Sequence, residues 1–255
     1  MGHLFLGKLP KTYRWKHVIQ LLDENSGVAE IAETSFWAAQ NGFKKIPDDL
    51  GFILTLTNIF KFIEAAQSTN FEESLNNIGF KVEKGASYFD VISSFKDKID
   101  RDLNQHHALT DVSEIAQNSF TQNLTKYISN ETLSLFESTS KTVQDSIQKQ
   151  LKGKSFKGLM HEFYTTFTTQ YLKYYLSREL PNHVGKNLRF DNISQHSDFD
   201  RAFDLFIRQT VRITDEFTPG WFGKSKFEGN LDHESVSKYT HIAFKKIRNE
   251  LKRGF

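Results

Sequence analysis

Residues 155–180, with the sequence SFKGLMHEFYTTFTTQYLKYYLSREL, carry the strongest structural pattern in the chain. Their large apolar side chains recur every three or four positions, which is the spacing that places residues on one face of an α-helix. These residues are Phe156, Met160, Phe163, Phe167, Tyr171 and Tyr174. A helix of this length extends about 39 Å. We therefore predict that residues 155–180 form a long, aromatic-rich helix at the centre of the core.

The rest of the chain also shows helical periodicity and no convincing strand alternation. Residues 50–63 are mostly apolar, but Lys61 interrupts the run. Because the run is also shorter than the roughly 20 residues that a membrane helix needs, we expect a buried helix and no membrane contact. We predict an all-α fold, a multi-helix bundle in a single domain over residues 1–255. Its sub-regions are 1–84, 85–152 and 153–255.

The middle sub-region differs in composition from the other two. Between Gly85 and Gly153 the chain has neither glycine nor proline and is rich in Ser, Thr, Asn and Gln. Its apolar stripes are narrow, with Ala116, Phe120, Leu124 and Ile128 in one and Phe136, Val143, Ile147 and Leu151 in the other. Narrow stripes are typical of helices that are mostly solvated or lie in a two-sided coiled-coil contact. We predict a helical hairpin, which either projects from the body and offers residues 110–151 for oligomerisation or forms a peripheral layer of the bundle.

Residues 218–230 are predicted to form a long irregular loop. They contain Pro219 and three glycines, and such residues favour turns and loops. Trp221 and Phe222 lie between two of these glycines. The two rings either anchor the loop to the body or form an exposed contact point, and the sequence leaves both alternatives open.

The chain of 255 residues contains no cysteine, which excludes disulfides, thiolate nucleophiles and cysteine-ligated zinc. This composition fits a reducing compartment, so we expect a cytoplasmic protein. The first residues lack the pattern of a signal peptide, and a modification of Gly2 stays open. Patterns for phosphate loops, zinc proteases and serine hydrolases are each incomplete, so no metal and no cofactor is predicted.

Positive charge is concentrated at the two ends of the chain. In the last predicted helix, residues 231–253, one side carries Lys238, His241, Lys245, Arg248 and Lys252. The first residues add Lys11, Arg14 and Lys16. Such a surface is typical of nucleic-acid or acidic-partner binding, although both segments are also compatible with ordinary solvated helix faces. In contrast, residues 21–100 carry 7 basic and 13 acidic side chains, a net charge of −6.

The segment from Arg101 to His106, RDLNQH, resembles the Arg-x4–6-His signature of HEPN ribonucleases. The resemblance implies a helical domain whose Arg101 and His106 act on RNA without a metal, with the histidine in proton transfer. Other pairs, such as Arg178 and His183, match the same spacing, so the pattern has low specificity. The alternative interpretation is a solvated helix end.

No complete catalytic motif is found in the sequence, and enzymatic activity stays open. Our leading hypothesis is a non-catalytic helical interaction subunit, an adaptor in a larger bacterial-type assembly with a protein partner. One alternative is a nucleic-acid-binding protein that uses the C-terminal basic helix. The other is a HEPN-like, metal-independent ribonuclease.

Overall fold

A computed structural model of the chain describes residues 12–131, 135–151 and 156–253. Eleven α-helices occupy these residues, joined by turns and short 3₁₀ helices. Their bounds are α1 Tyr13–Asp23, α2 Val28–Phe43, α3 Leu50–Ala65, α4 Phe71–Asn77, α5 Tyr88–Gln105, α6 Asp111–Glu131, α7 Ser140–Leu151, α8 Phe156–Glu179, α9 Ile193–Val211, α10 Thr218–Phe227 and α11 His233–Arg253. Within the described ranges, β-pairing is limited to two isolated bridges. The predicted all-α bundle is confirmed.

Helix α8 is the central helix of the bundle, as its aromatic spacing predicts. It packs against α2, α6 and α9. Phe167 is fully buried, with its ring centroid 4.9 Å from that of Phe52 in α3. Tyr171 meets Phe43 of α2 edge to face at 5.7 Å. Contacts between rings in such orientations add to the stabilisation from apolar burial, so the aromatic face of α8 holds several helices together.

Helix α3 is buried almost along its whole length, which confirms the prediction for residues 50–63. Asp49 caps its first turn, where the carboxylate Oδ1 accepts a hydrogen bond of 2.7 Å from the backbone N–H of Phe52. Gly51 lets this end pack closely on the segment before α6. A Cβ at that position would lie 2.1 Å from the carbonyl oxygen of Ala108.

In the predicted hairpin region 85–152, the described residues 85–131 and 135–151 form neither a projecting hairpin nor a peripheral layer. They fold into α5, α6 and α7, and α6 lies in the centre of the molecule between α3 and α8. The narrow stripe in the sequence is misleading because several small or amide side chains of α6 are buried together with its apolar ones. The buried polar residues of α6 are Ser113, Gln117, Ser119, Thr121 and Asn123.

The prediction of a second apolar stripe in this region is only partly correct. Val143 and Ile147 of α7 are buried, whereas Phe136 is 84% exposed and lies outside the seam. The side chain of Leu151 lies outside the described residues. Oligomerisation through residues 110–151 stays a prediction, although the apolar face of α6 is already covered by other helices of the same chain.

Residues 218–227 are a helix rather than the predicted loop. Pro219 lies in the first turn of α10, where its missing N–H costs no hydrogen bond. Trp221 stacks on Tyr239 of α11 with ring centroids 4.2 Å apart, and Phe222 is buried. This packing offsets the low helix propensity of the glycines, about 1 kcal/mol each relative to alanine. The anchoring alternative for the two rings is therefore confirmed.

Across the part of the chain that the structure describes, no helix combines the length and the apolar character that crossing a membrane requires.

Candidate interaction surfaces

The predicted basic face of α11 reaches the surface, but carboxylates of the same chain neutralise part of it. Lys238 forms an ion pair of 2.6 Å with Glu234, one turn earlier in the helix. The imidazole Nε2 of His241 lies 3.2 Å from a carboxylate oxygen of Asp48. A lysine charge that is paired in this way attracts an acidic partner less strongly than a free one.

The remaining basic residues of this face differ in their surroundings. Lys245 is exposed and has no acidic partner among the described residues. Arg248 is half-buried, and its Nε has no hydrogen-bond partner in the described part of the chain. The side chain of Lys252 lies outside the described residues. Nucleic-acid binding through this face stays a prediction.

The N-terminal basic segment is described only in part. Lys11 lies outside the described residues, and Lys16 is exposed on α1. Arg14 donates a hydrogen bond of 3.0 Å to the carbonyl oxygen of Trp37 in α2. Helix α11 also packs on α2, where the ring of Phe244 lies 5.1 Å from that of Phe43. Both basic segments thus adjoin α2, but among the side chains that the structure describes no contact joins the predicted residues of one to those of the other.

The two residues of the HEPN resemblance contact different parts of the molecule. Arg101 donates a hydrogen bond of 3.0 Å from Nη2 to the carbonyl oxygen of Gly79. His106 is the C-cap of α5, and its ring lies 6.3 Å from that of His233 at the start of α11. Five positions along a helix rotate a side chain by about 140°, which explains this divergence. The ribonuclease hypothesis stays a prediction, and no contact between the two side chains supports it.

A surface that the sequence analysis overlooked is built from Phe89 and Phe136, here called the aromatic pair. The two ring centroids lie 5.4 Å apart, and the side chains are 45% and 84% exposed. Most described phenylalanines are buried, and Phe227 is the other one that is largely exposed. An exposed contact between two phenylalanines is thus unusual for this chain.

Backbone pairing between two distant segments positions the aromatic pair. The N–H of Tyr88 donates to the carbonyl of Ser138 at 2.8 Å, and that of Ser140 donates to Ala86 at 2.7 Å. These bonds place the start of α5 beside the short 3₁₀ helix Leu135–Glu137. Phe89 directly follows Tyr88 in the chain, whereas Phe136 lies two residues before Ser138. The contact between the two rings therefore depends on the tertiary structure.

The first turn of α5 explains why Phe89 points outward. Ser87 and Asp90 form a capping box, in which the Ser87 side chain accepts from the N–H of Asp90 and the Asp90 carboxylate accepts from Ser87. The buried stripe of α5 runs through Tyr88, Val91 and Phe95. Phe89 lies outside this stripe. Its position relative to the stripe is the one feature of the sequence that could have predicted its exposure.

A polar cleft of about 680 Å³ adjoins the aromatic pair, and we call it the α5 cleft. Phe89 neighbours the cleft because Ser93, one turn further along α5, is part of its lining. The exposed acidic groups here are Glu83, Asp90 and Asp97 of the cleft and Glu137 beside Phe136, against the basic Lys81 and Lys84. Hydrogen bonds from the side chain and backbone of Ser87 hold the pKa of Asp90 below its ordinary value, so this carboxylate stays ionised. The surface therefore combines two exposed rings with an excess of negative charge.

Comparisons of the chain with protein-family models, with curated proteins and with solved structures found no match.

Proposed function

We propose that this protein is a non-catalytic helical interaction subunit that docks a partner protein on the aromatic pair and the α5 cleft. The observation that carries the proposal is the exposed contact between Phe89 and Phe136. Exposed apolar patches with a polar rim mark interaction sites, and aromatic side chains are enriched at the centre of protein interfaces.

The charge around the aromatic pair defines the chemistry of the partner. Three carboxylates and two lysines line the α5 cleft, and a fourth carboxylate, that of Glu137, follows Phe136 in the chain, so the surface favours a basic segment. The rings require an apolar side chain in the same segment, because burial of apolar surface supplies most of the affinity. The partner segment thus presents an apolar anchor next to Lys or Arg residues. This partner chemistry also suits an adaptor that holds a basic protein in a larger assembly.

The experiment compares proteins retained by three immobilised variants in extracts of the cells that make this chain. The variants are the wild type, F89A/F136A and the matched control F227A, which removes a phenylalanine that is 92% exposed on α10. A partner retained by the wild type and the control but lost from F89A/F136A is then purified. Titration calorimetry should show binding weakened about 30-fold or more by F89A/F136A, which is typical of an aromatic hot spot.

Salt provides an independent check on the charge argument. Because the steering charges are exposed, association should slow as the ionic strength rises. The proposal is wrong if no protein discriminates F89A/F136A from F227A. It is also wrong if the purified partner binds both variants with the same affinity.

A further inference from the structure

Phe227, the last residue of α10, projects into solvent with its side chain 92% exposed. Phe222 and Ser225 of the same helix are buried, and five positions along a helix rotate Phe227 by about 140° away from Phe222. Gly229, with a φ of 68°, closes the helix, and the N–H of Asn230 donates to the carbonyl of Ser225 at 2.8 Å. Because this cap fixes the backbone at the helix end, Phe227 is held at a defined place on the surface.

Two lysines precede this ring in the chain. Lys224 is exposed, and its Nζ lies 3.8 Å from the carboxylate of Glu228. An ion pair this long between exposed side chains is worth little and opens readily. Lys226 is half-buried, and its Nζ donates to the uncharged side chain of Gln67. Residues 224–228 thus combine an exposed phenylalanine with a net charge of +1, and we call them the α10 tip.

The α10 tip has the chemistry that the aromatic pair and the α5 cleft require. The aromatic pair offers two exposed rings, and contact with a third ring adds to the gain from burial of apolar surface. The lining of the cleft together with Glu137 has four carboxylates and two lysines, a net charge of −2. Opposite charges on two surfaces steer their association and fix its register.

The two surfaces do not meet within one chain. Phe227 is 92% exposed, so no part of the described protein covers its ring. The α10 tip lies beyond the end of α3, where Lys226 contacts Gln67. Phe89 and Phe136 are themselves 45% and 84% exposed. A contact between the tip and the aromatic pair therefore requires two copies of the chain.

We propose that a second copy of this chain docks its α10 tip on the aromatic pair and the α5 cleft, in competition with the partner protein. The inference rests on the proposed function, because it names what covers the same surface while the partner is absent. The tip and its receptor are different parts of the chain. Two copies therefore either exchange both contacts around a two-fold axis or join head to tail.

Analytical ultracentrifugation of the wild type at up to about 0.5 mM measures the self-association, since contacts with micromolar dissociation constants are then populated. F227A removes the anchor, and F89A/F136A removes its receptor. Each variant should raise the dissociation constant of self-association about tenfold or more. Y13A is the matched control, because Tyr13 is 84% exposed on α1, and it should leave self-association unchanged.

A mixture of the two variants tests the pairing of the two surfaces directly. F227A keeps the receptor and F89A/F136A keeps the anchor, so they should form a one-to-one complex more tightly than either variant associates with itself. This result also shows that both variants fold, since each contributes an intact surface. K224E/K226E should weaken self-association, whereas K44E/K45E, an equal charge change at exposed lysines that follow α2, should weaken it less.

The partner protein should bind F227A at least as tightly as the wild type, because F227A has no self-contact to displace. The inference is overturned, and the proposed function stands, if the wild type is monomeric while a partner discriminates F89A/F136A from F227A. It is also overturned if F227A self-associates like the wild type, or if the mixture associates no better than the separate variants. Both proposals fail if the wild type is monomeric and no protein discriminates the two variants.

Discussion

Helices α3 and α6 lie side by side in the centre of the bundle, yet they are built from different kinds of residue. The buried side of α3 is formed mainly by large apolar residues, such as Phe52, Leu56 and Phe62. In α6 the buried residues include Phe120 and Leu124, but also Ser119, Thr121 and other polar ones. Helices α3 and α6 thus differ in hydrophobicity, although both are buried in the centre of the bundle.

Some of the buried polar residues of α6 pair with neighbouring helices, whereas the hydroxyl of Thr121 donates to the carbonyl of Gln117 within α6. Gln117 donates from Nε2 to the carbonyl of Lys96 in α5 at 3.2 Å, and Ser119 donates to Gln170 of α8 at 3.3 Å. A buried polar group costs little once it is hydrogen-bonded. Small side chains also let helices approach closely. The comparison shows that hydrophobicity identifies a central helix such as α3 but misses one that is held by interhelical hydrogen bonds.

The largest effect should come from removing an aromatic side chain of α3. Phe62 is fully buried, and its ring contacts those of Phe95 at 5.1 Å and Phe120 at 6.0 Å. F62A should lower the free energy of unfolding by about 3–5 kcal/mol, since it leaves a cavity where α3, α5 and α6 meet. Urea unfolding measures this. F227A is the control and should stay within about 0.5 kcal/mol of the wild type. A loss below about 1 kcal/mol for F62A would contradict the central role of α3.

A smaller effect should follow from making α6 more like α3. Ser119 is fully buried where α6 packs on α8. S119L should lower the free energy of unfolding by about 1–3 kcal/mol, because the larger side chain has no room and the bond to Gln170 is lost. S129L places the same residue at an exposed position of α6 and should have almost no effect. If S119L instead stabilises the protein, close packing of small residues is not what buries α6.

The smallest of the three effects concerns Asp49, which links the two helices. Its carboxylate Oδ1 caps α3 and also accepts a hydrogen bond of 3.0 Å from the hydroxyl of Thr110, just before α6. D49A should cost about 1–2 kcal/mol, as the loss of a helix cap does. D49N should cost less, because the asparagine side chain still offers an acceptor oxygen.

The two variants also differ in the expected pH dependence. Burial raises the pKa of Asp49 above its ordinary value of 3.8, so the folded state holds this proton more tightly than the unfolded state does. As pH rises from 3.8 through the folded pKa, the wild type should therefore lose stability relative to D49N, and the difference should then level off. Urea unfolding of both proteins from acidic to neutral pH measures the difference. A difference that changes in the opposite direction would show that the cap hydrogen bonds outweigh burial.

Sequence periodicity predicted the elements whose burial depends on large apolar side chains. Helices α3 and α8 are examples. It failed for α10, where the propensity of proline and glycine indicated a loop and the packing of Trp221 and Phe222 outweighed it. It also failed for Phe136, whose heptad spacing with Val143 continues across the break between the 3₁₀ helix and α7. Regular spacing of apolar residues predicts a shared buried face only within one continuous helix.

The candidate sites were less predictable than the fold. Phe89 and Phe136 are 47 positions apart and meet through the backbone pairing of residues 86–88 with 138–140. Lys238, His241 and Lys245 of α11 are exposed, but the pairing of His241 with Asp48 depends on a distant segment.

The amino-acid sequence alone therefore establishes the all-α class, the central position of α8, the burial of α3 and the lack of cysteine chemistry. These properties follow from local periodicity and composition, which need no knowledge of neighbours. The burial of α6 and the exposed aromatic pair arise only in the folded chain. Each depends on which distant side chains become neighbours, because hydrogen bonding and close packing are properties of pairs rather than of single residues.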